Sequence, residues 1–279
     1  MRRFFKIAVP SLIPALLLAL ILVSAAFLLA GWFLFSPDRI RSGVASILSG
    51  KEPVSDVAIS SCRPVFPPGI RMSGMSVKFK RGTSLEAREV ILRPRFASLL
   101  GGRLSLDFDA GAYGGRIRGK LDFLQPVSAS GPFRLALNFE DIRVAECRFL
   151  DSLTGLRTAG IARGSLDYRG RTGRLSQGEG ALRVAVREAD FKSRLPVLAR
   201  GFHSAEAEAS WQGNTLNIQK LHLTGQEVQG DFRGRIFLHE DFPRSRLLMK
   251  GDFAAIGDPG NVFFLVVTGT VAEPAANLM

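Results

Sequence analysis

Acidic residues are missing from the start of this chain, and between Ile7 and Phe35 there is no charged residue of either sign. As a helix rising 1.5 Å per residue, even the part after Pro14 is long enough to cross a hydrocarbon core of about 30 Å. Arg2, Arg3 and Lys6 precede the run, and basic residues favour the cytoplasmic side of a membrane. The sequence therefore predicts a single transmembrane signal anchor within residues 1–36, with the N-terminus in the cytoplasm.

A cleaved signal peptide is the alternative, because Val23-Ser24-Ala25 places small residues at the spacing of a cleavage site. The apolar run continues to Phe35, however, which is longer than a secretory signal needs, so we favour an uncleaved anchor. We expect a juxtamembrane helix or linker at 37–53, where apolar residues recur at helical spacing, and a folded domain at 54–279. This arrangement predicts a bacterial inner-membrane protein whose C-terminal domain lies in the periplasm.

Cysteine and histidine are scarce, with two and three residues in a chain of 279. Neither Cys62 nor Cys147 belongs to a C-x-x-C motif, and the histidines lack ligand spacing, so we expect no metal site. In an oxidising compartment the two cysteines can form one disulfide that closes a long loop. Two buried free thiols are the other outcome, and the sequence leaves both open.

Catalytic signatures are missing as well, including G-x-S-x-G and H-E-x-x-H. The stretch "GGRIRGKL" at 114–121 is one residue away from a phosphate-binding loop, but Leu121 stands where a hydroxyl should hold magnesium. The stretch also alternates as a strand does. We therefore expect a hairpin turn at Gly114-Gly115 and a close approach at Gly119. The sequence predicts no enzyme, no catalytic residue and no cofactor.

The net charge is +12, of which three charges come from Arg2, Arg3 and Lys6, leaving +9 for the remainder. A basic balance suits nucleic acid, an anionic membrane surface or simply a solvated exterior. A translocated domain rarely meets nucleic acid, so we expect none as a partner. The basic residues also stand singly along the chain, which is typical of a solvated sheet face.

Alternation of apolar and polar residues dominates the rest of the chain and predicts twelve strands between "MSVKFKR" and "FLVVTGTV". Strands with one apolar and one polar side are typical of antiparallel sheets. We expect a mainly β fold: an elongated, curved antiparallel sheet with one or two short helices on its apolar face. A candidate groove face is formed by the apolar sets of three predicted strands, namely Leu104, Leu106, Phe108, Ile117, Leu121, Phe123, Leu135, Leu137 and Phe139.

Three segments depart from simple alternation. Apolar residues three apart, beginning with Val144 and Cys147, predict a helix from about Asp141 to Thr154 that packs on the apolar face. A second short helix is expected near "SRLPVLAR". The phase of alternation slips between Ile218 and Leu221, which predicts a β-bulge.

Several stretches resemble the type II secretion system protein N family, in the form found in delta-proteobacteria and relatives. They are "FPPGIRMSGMSVKF", "EVILRPRFASLLGGRLSLDFDAGAYGGRIRGKLDF", "GQEVQGDFRGRIFLHEDFPRSRLLMKGDF" and the closing "VTGTVAEP", so the similarity spans roughly residues 60–275. The recurring glycine-strand pattern is also similar to AsmA-like and TamB-like envelope proteins. The resemblance implies a single-pass inner-membrane protein with a periplasmic β-rich domain, and it implies no catalytic residues.

Two functions follow as expectations. The resemblance implies an accessory structural component of the type II secretion machinery, with its inner- or outer-membrane components as partners. A sheet whose apolar face is only partly covered would instead bind phospholipid, as a lipid-binding or lipid-transfer protein of the AsmA-like kind. An envelope enzyme is the least supported alternative.

Overall fold

The computed structural model describes residues 54–79, 84–124, 131–147, 158–171, 178–191, 202–239, 244–256 and 258–278. The predicted anchor, the juxtamembrane segment and the predicted helix at 193–200 lie outside these residues. Among the described residues, no helix is both long enough and apolar enough to span a membrane.

The described residues form one antiparallel sheet of fourteen strands, each paired with the next in the chain, so the mainly β prediction is confirmed. The strands are β1 (Val54–Val65), β2 (Gly69–Phe79), β3 (Ser84–Pro94), β4 (Leu104–Ala112), β5 (Gly115–Phe123), β6 (Pro132–Arg143), β7 (Thr158–Arg171), β8 (Glu179–Phe191), β9 (Phe202–Gln212), β10 (Thr215–Gly225), β11 (Val228–Phe237), β12 (Arg246–Ala255), β13 (Asp258–Gly269) and β14 (Pro274–Leu278).

The sequence predicted twelve of these strands and missed the two at the sheet edges, β1 and β14. It also missed the short helix α1 (Phe96–Leu100), which follows β3. Strand β13 begins at Asp258, six residues before the predicted start. Edge strands pair on one side only, so less of their sequence is constrained by neighbours.

The helix predicted at Asp141–Thr154 is wrong in its first part. Residues up to Arg143 belong to β6, and only a 3-10 turn follows, at Val144–Glu146. The Cys147 N–H donates to the Val144 carbonyl at 2.9 Å, so the three-residue spacing reflects three residues per 3-10 turn. Residues 148–154 lie outside the described part of the chain.

Two local predictions for the strands are confirmed. The register of β10 and β11 shifts between Ile218 and Leu221, as the slipped phase indicated. The predicted β4–β5 hairpin is present, with its turn at Tyr113 and Gly114, one residue before the predicted Gly114-Gly115. Both turn residues have positive φ, which matches the right-handed twist of the flanking strands. The "GGRIRGKL" stretch is therefore this turn and the start of β5, with no helix after it.

Three buried clusters lie on the sheet, two of them near its ends. One joins β1 to β4 around Ile59 and Met72, and another joins β11 to β13 around Phe232 and Leu265. A third cluster includes Val144 of the 3-10 turn, which packs beside Ile117 and Phe139. The predicted contact between this segment and the apolar face is thus present, although the segment is not an α-helix.

Candidate functional site: the apolar face of the sheet

The nine residues of the candidate groove face lie together on one side of β4, β5 and β6. Between β4 and β5, the register pairs Leu104 with Phe123, Leu106 with Leu121 and Phe108 with Gly119. Between β5 and β6, it pairs Ile117 with Phe139 and Leu121 with Leu135. All nine side chains are half-buried. We call this side of the whole sheet the apolar face and the opposite side the charged face.

The apolar face extends well beyond the three strands that the sequence analysis singled out. The register carries it across β7 to β10 through Leu166, Leu182, Ala209 and Ile218, each directly paired with the next. Most side chains in its middle are half-buried, and a few, such as Phe133 and Tyr168, are buried. Met72 and Leu265 near the two ends are each only 1% exposed. A second packed layer would bury the middle as well, so this region keeps apolar surface available.

An aromatic row crosses the middle of the apolar face. Ring centroids are 6.4 Å apart for Phe123 and Phe133, 5.7 Å for Phe133 and Tyr168, and 5.6 Å for Tyr168 and Trp211. These separations fall in the range of favourable aromatic pairs. The row links β5, β6, β7 and β9, so Tyr168 reaches Trp211 across β8.

Glycines opposite aromatic residues explain how the rings fit. Several rings lie directly opposite a glycine of the next strand, including the pairs Phe108–Gly119, Phe139–Gly164, Tyr168–Gly180 and Phe232–Gly251. A Cβ at Gly164 would lie 2.6 Å from Cζ of Phe139, so no larger residue fits there without displacement. The glycine-strand pattern in the sequence indicated this arrangement, but the sequence did not show which ring each glycine would face.

The two cysteines are buried as thiols that are not joined in a disulfide, which is the second of the alternatives that the sequence left open. Cys62 belongs to the cluster of β1 to β4, where burial raises the pKa of its thiol. Cys147 ends the 3-10 turn and interacts with Tyr113, whose hydroxyl accepts a hydrogen bond from the Glu86 N–H at 3.0 Å. The two thiols are therefore buried in different parts of the structure.

The charged face carries ion pairs, most of them between neighbouring strands. Arg95 Nε lies 2.7 Å from Asp107 Oδ2, Lys120 Nζ lies 2.9 Å from Asp122 Oδ2, and Arg134 forms a two-pronged pair with Asp167. Further pairs link the neighbouring strands, at Arg71–Glu89, Arg116–Asp109, Arg169–Glu179, Arg183–Glu208 and Lys220–Glu206. The hydrogen bond from Arg116 holds the pKa of Asp109 below its ordinary value.

A cleft of about 1150 Å³ lies near the β4–β5 turn. Basic residues such as Arg88 and Arg143 line it together with the acids Glu86 and Glu146. Because its lining contains both positively and negatively charged side chains, the cleft favours neither an anion nor a cation. Within the described ranges, no three histidine, cysteine or acidic side chains gather closely enough to hold a metal ion.

A scan of this chain against protein-family models found no match, and searches of curated proteins and of solved structures found no significant match. The resemblance to the protein N family therefore stays a prediction.

Proposed function

We propose that the apolar face binds the acyl chains of phospholipid, in a membrane-anchored envelope protein of the AsmA-like kind. The observation that carries this proposal is the set of half-buried apolar side chains that crosses the middle of the apolar face, from Leu106 on β4 to Ile218 on β10. Apolar side chains that remain partly exposed over several adjacent strands offer a dry surface to a flexible hydrocarbon. The predicted inner-membrane anchor and the predicted elongated, curved shape of the sheet belong to this proposal.

Aromatic rings give the apolar face a specific shape. Glycines opposite Phe108, Phe139 and Tyr168 leave room for these large rings beside the neighbouring strand. A saturated chain makes many weak dispersion contacts along such a surface, each small and together substantial. The sheet therefore favours long apolar ligands over compact polar ones.

The test uses a photoreactive phenylalanine analogue placed at neighbouring positions of the same strands. Leu135 and Leu182 face the apolar side, whereas Asn138 and Arg183 face the charged side. The full chain is expressed in bacteria with radiolabelled phospholipid and irradiated in cells. We expect label at the two leucine positions and little at the two controls.

Equal labelling on both faces would contradict the proposal, and so would no labelling at Leu135 and Leu182. Native mass spectrometry of the purified chain provides a second measurement. Bound phospholipid should be released by a Leu135→Asp variant, while Asn138→Asp should retain it.

A secretion-machinery component is the second candidate function, and the free edge of β1 favours it. Strand β1 has twelve residues, and in the described part of the chain it pairs only with β2. A long unpaired edge can accept a strand from a partner protein through main-chain hydrogen bonds. Tagged full-length protein should then co-purify with secretion-system components, and its deletion should impair export of secreted proteins. Absence of both effects would rule this function out.

A further inference from the structure

The charged face changes character at β11 to β13, where it carries exposed apolar side chains. Phe237, Leu248 and Phe264 are 43%, 52% and 57% exposed. Leu248 is paired with Arg235, and Phe264 with Asp252, and both pairings place the apolar side chains among charged residues. These three residues therefore do not belong to the apolar face, which the cluster around Phe232 and Leu265 occupies on the other side.

Four exposed cations share this surface. They are Arg233 and Arg235 on β11 with Arg246 and Lys250 on β12. In the part of the chain that the structure describes, no ion pair involves any of them. Together with Phe237, Leu248 and Phe264 they form what we call the basic–apolar patch.

The acids on the same face do not neutralise the patch. Asp231 and Asp252 stand opposite each other at one end, and Asp231 Oδ1 lies 2.9 Å from His222 Nδ1 of β10. Arg233 and Lys250 are also directly opposite each other, and like charges in that position destabilise a sheet. The surface therefore has an uncompensated positive charge that an external anion would relieve.

We propose that the basic–apolar patch is a docking surface for an anionic phospholipid bilayer. Aromatic and aliphatic side chains that lie among arginine and lysine residues match a membrane surface, which has charged headgroups above an apolar interior. The rings can enter the interface while the cations meet lipid phosphates. Because a bilayer is fluid, it can bind this surface without a complementary shape of its own. The inference deepens the proposed function, because it places a membrane contact beside a lipid-binding face, but it depends on different residues.

The test measures vesicle capture by the full chain held in phosphatidylcholine nanodiscs. Free vesicles consist of phosphatidylcholine alone, or of phosphatidylcholine with one quarter phosphatidylglycerol. We expect capture of the mixed vesicles at low salt and a decline in capture as salt increases. Since each cation near such a surface contributes roughly a fivefold gain in binding, Lys250→Glu should weaken capture by about tenfold or more.

Two further variants separate charge from insertion. The double variant Leu248→Ser with Phe264→Ser keeps every charge and should still lose most of the capture. Arg187→Glu is the matched control, because Arg187 is exposed on β8 and faces Ser204. Its charge change equals that of Lys250→Glu, yet its capture should stay close to that of the unaltered protein. The melting temperature should not fall in Lys250→Glu, so unfolding cannot explain its loss.

Three outcomes would overturn the inference. Equal capture of both vesicle types would show that the lipid phosphate is not recognised, and equal losses in Lys250→Glu and Arg187→Glu would show a dependence on net charge alone. A change of oligomeric state in the double variant, with capture unaltered, would assign the patch to contacts between copies of the chain. Labelling at Leu135 and Leu182 is measured in the same variants, so failure of docking and failure of lipid binding are distinguished.

Discussion

The charged face of β3 to β10 and the basic–apolar patch of β11 to β13 occupy the same side of one sheet, yet they differ in composition. The first region carries acids and bases of neighbouring strands in contact, as at Arg134 and Asp167. The second places Arg233 opposite Lys250 and exposes Leu248 and Phe264. Since both regions use the same strand pairing and share one apolar face, we infer that the two surfaces have different contacts. The first region is suited to contact with water, whereas the second is suited to an amphipathic partner.

The largest expected effect concerns what the two regions share. Phe133→Ala and Phe232→Ala should each lower the free energy of unfolding by about 3 kcal/mol, because both rings are buried on the apolar face. Phe264→Ala in the patch should change it by no more than about 0.5 kcal/mol, as for other exposed positions. Urea unfolding of the three variants measures the comparison. A cost for Phe264→Ala equal to that of Phe232→Ala would mean that the patch is part of the core.

Charge reversal should act in opposite directions in the two regions. Asp167→Lys removes the partner of Arg134 and adds a like charge, so the melting temperature should fall by about 2 °C. Lys250→Glu replaces a like-charge pair with an opposite-charge pair, so the melting temperature should rise by about 1 °C. Thermal unfolding at low salt measures both. Shifts of the same sign would remove the electrostatic distinction between the regions.

The smallest expected effect is a dependence on pH that belongs to the ion-paired region. The pKa of Asp109 is lowered in the folded protein by the hydrogen bond from Arg116. Its stabilising contribution is therefore complete above the unfolded pKa of about 3.9 and is lost as pH falls through the lower folded pKa. Asp109→Asn should be less stable than the unaltered chain at neutral pH, and the difference should narrow as pH falls below the unfolded value. A constant difference across that range would contradict the assignment.

Twelve of the described strands were predictable because apolar and polar residues alternate along them with a period of two. Leu104, Phe123 and Leu135 could be assigned to one face from their spacing along the chain alone. The helix predicted at Asp141–Thr154 is wrong in its first part for a related reason, since apolar residues three apart fit a 3-10 turn as well as an α-helix. Short segments contain too few repeats to separate these periods.

The candidate site was only partly predictable. Its nine residues were found from alternation, but its extension to β10 and the aromatic row required the pairing of strands. Tyr168 and Trp211 are 43 residues apart in the chain, and their contact depends on Gly180 lying between them in the sheet. Similarly, the opposition of Arg233 and Lys250 follows from the β11–β12 register, which the residues of either strand alone do not specify.

The amino-acid sequence by itself determined that the described part of the chain consists mainly of strands with one apolar and one charged side, because side chains of an extended chain point alternately to opposite faces. The tertiary structure decided which strands are neighbours and in what register. Those two properties set which charges meet, which rings lie on glycines and which apolar residues stay exposed. The paired surface, the apolar face and the basic–apolar patch are therefore products of strand pairing, since charges and rings distant along the chain interact only where the register brings them together.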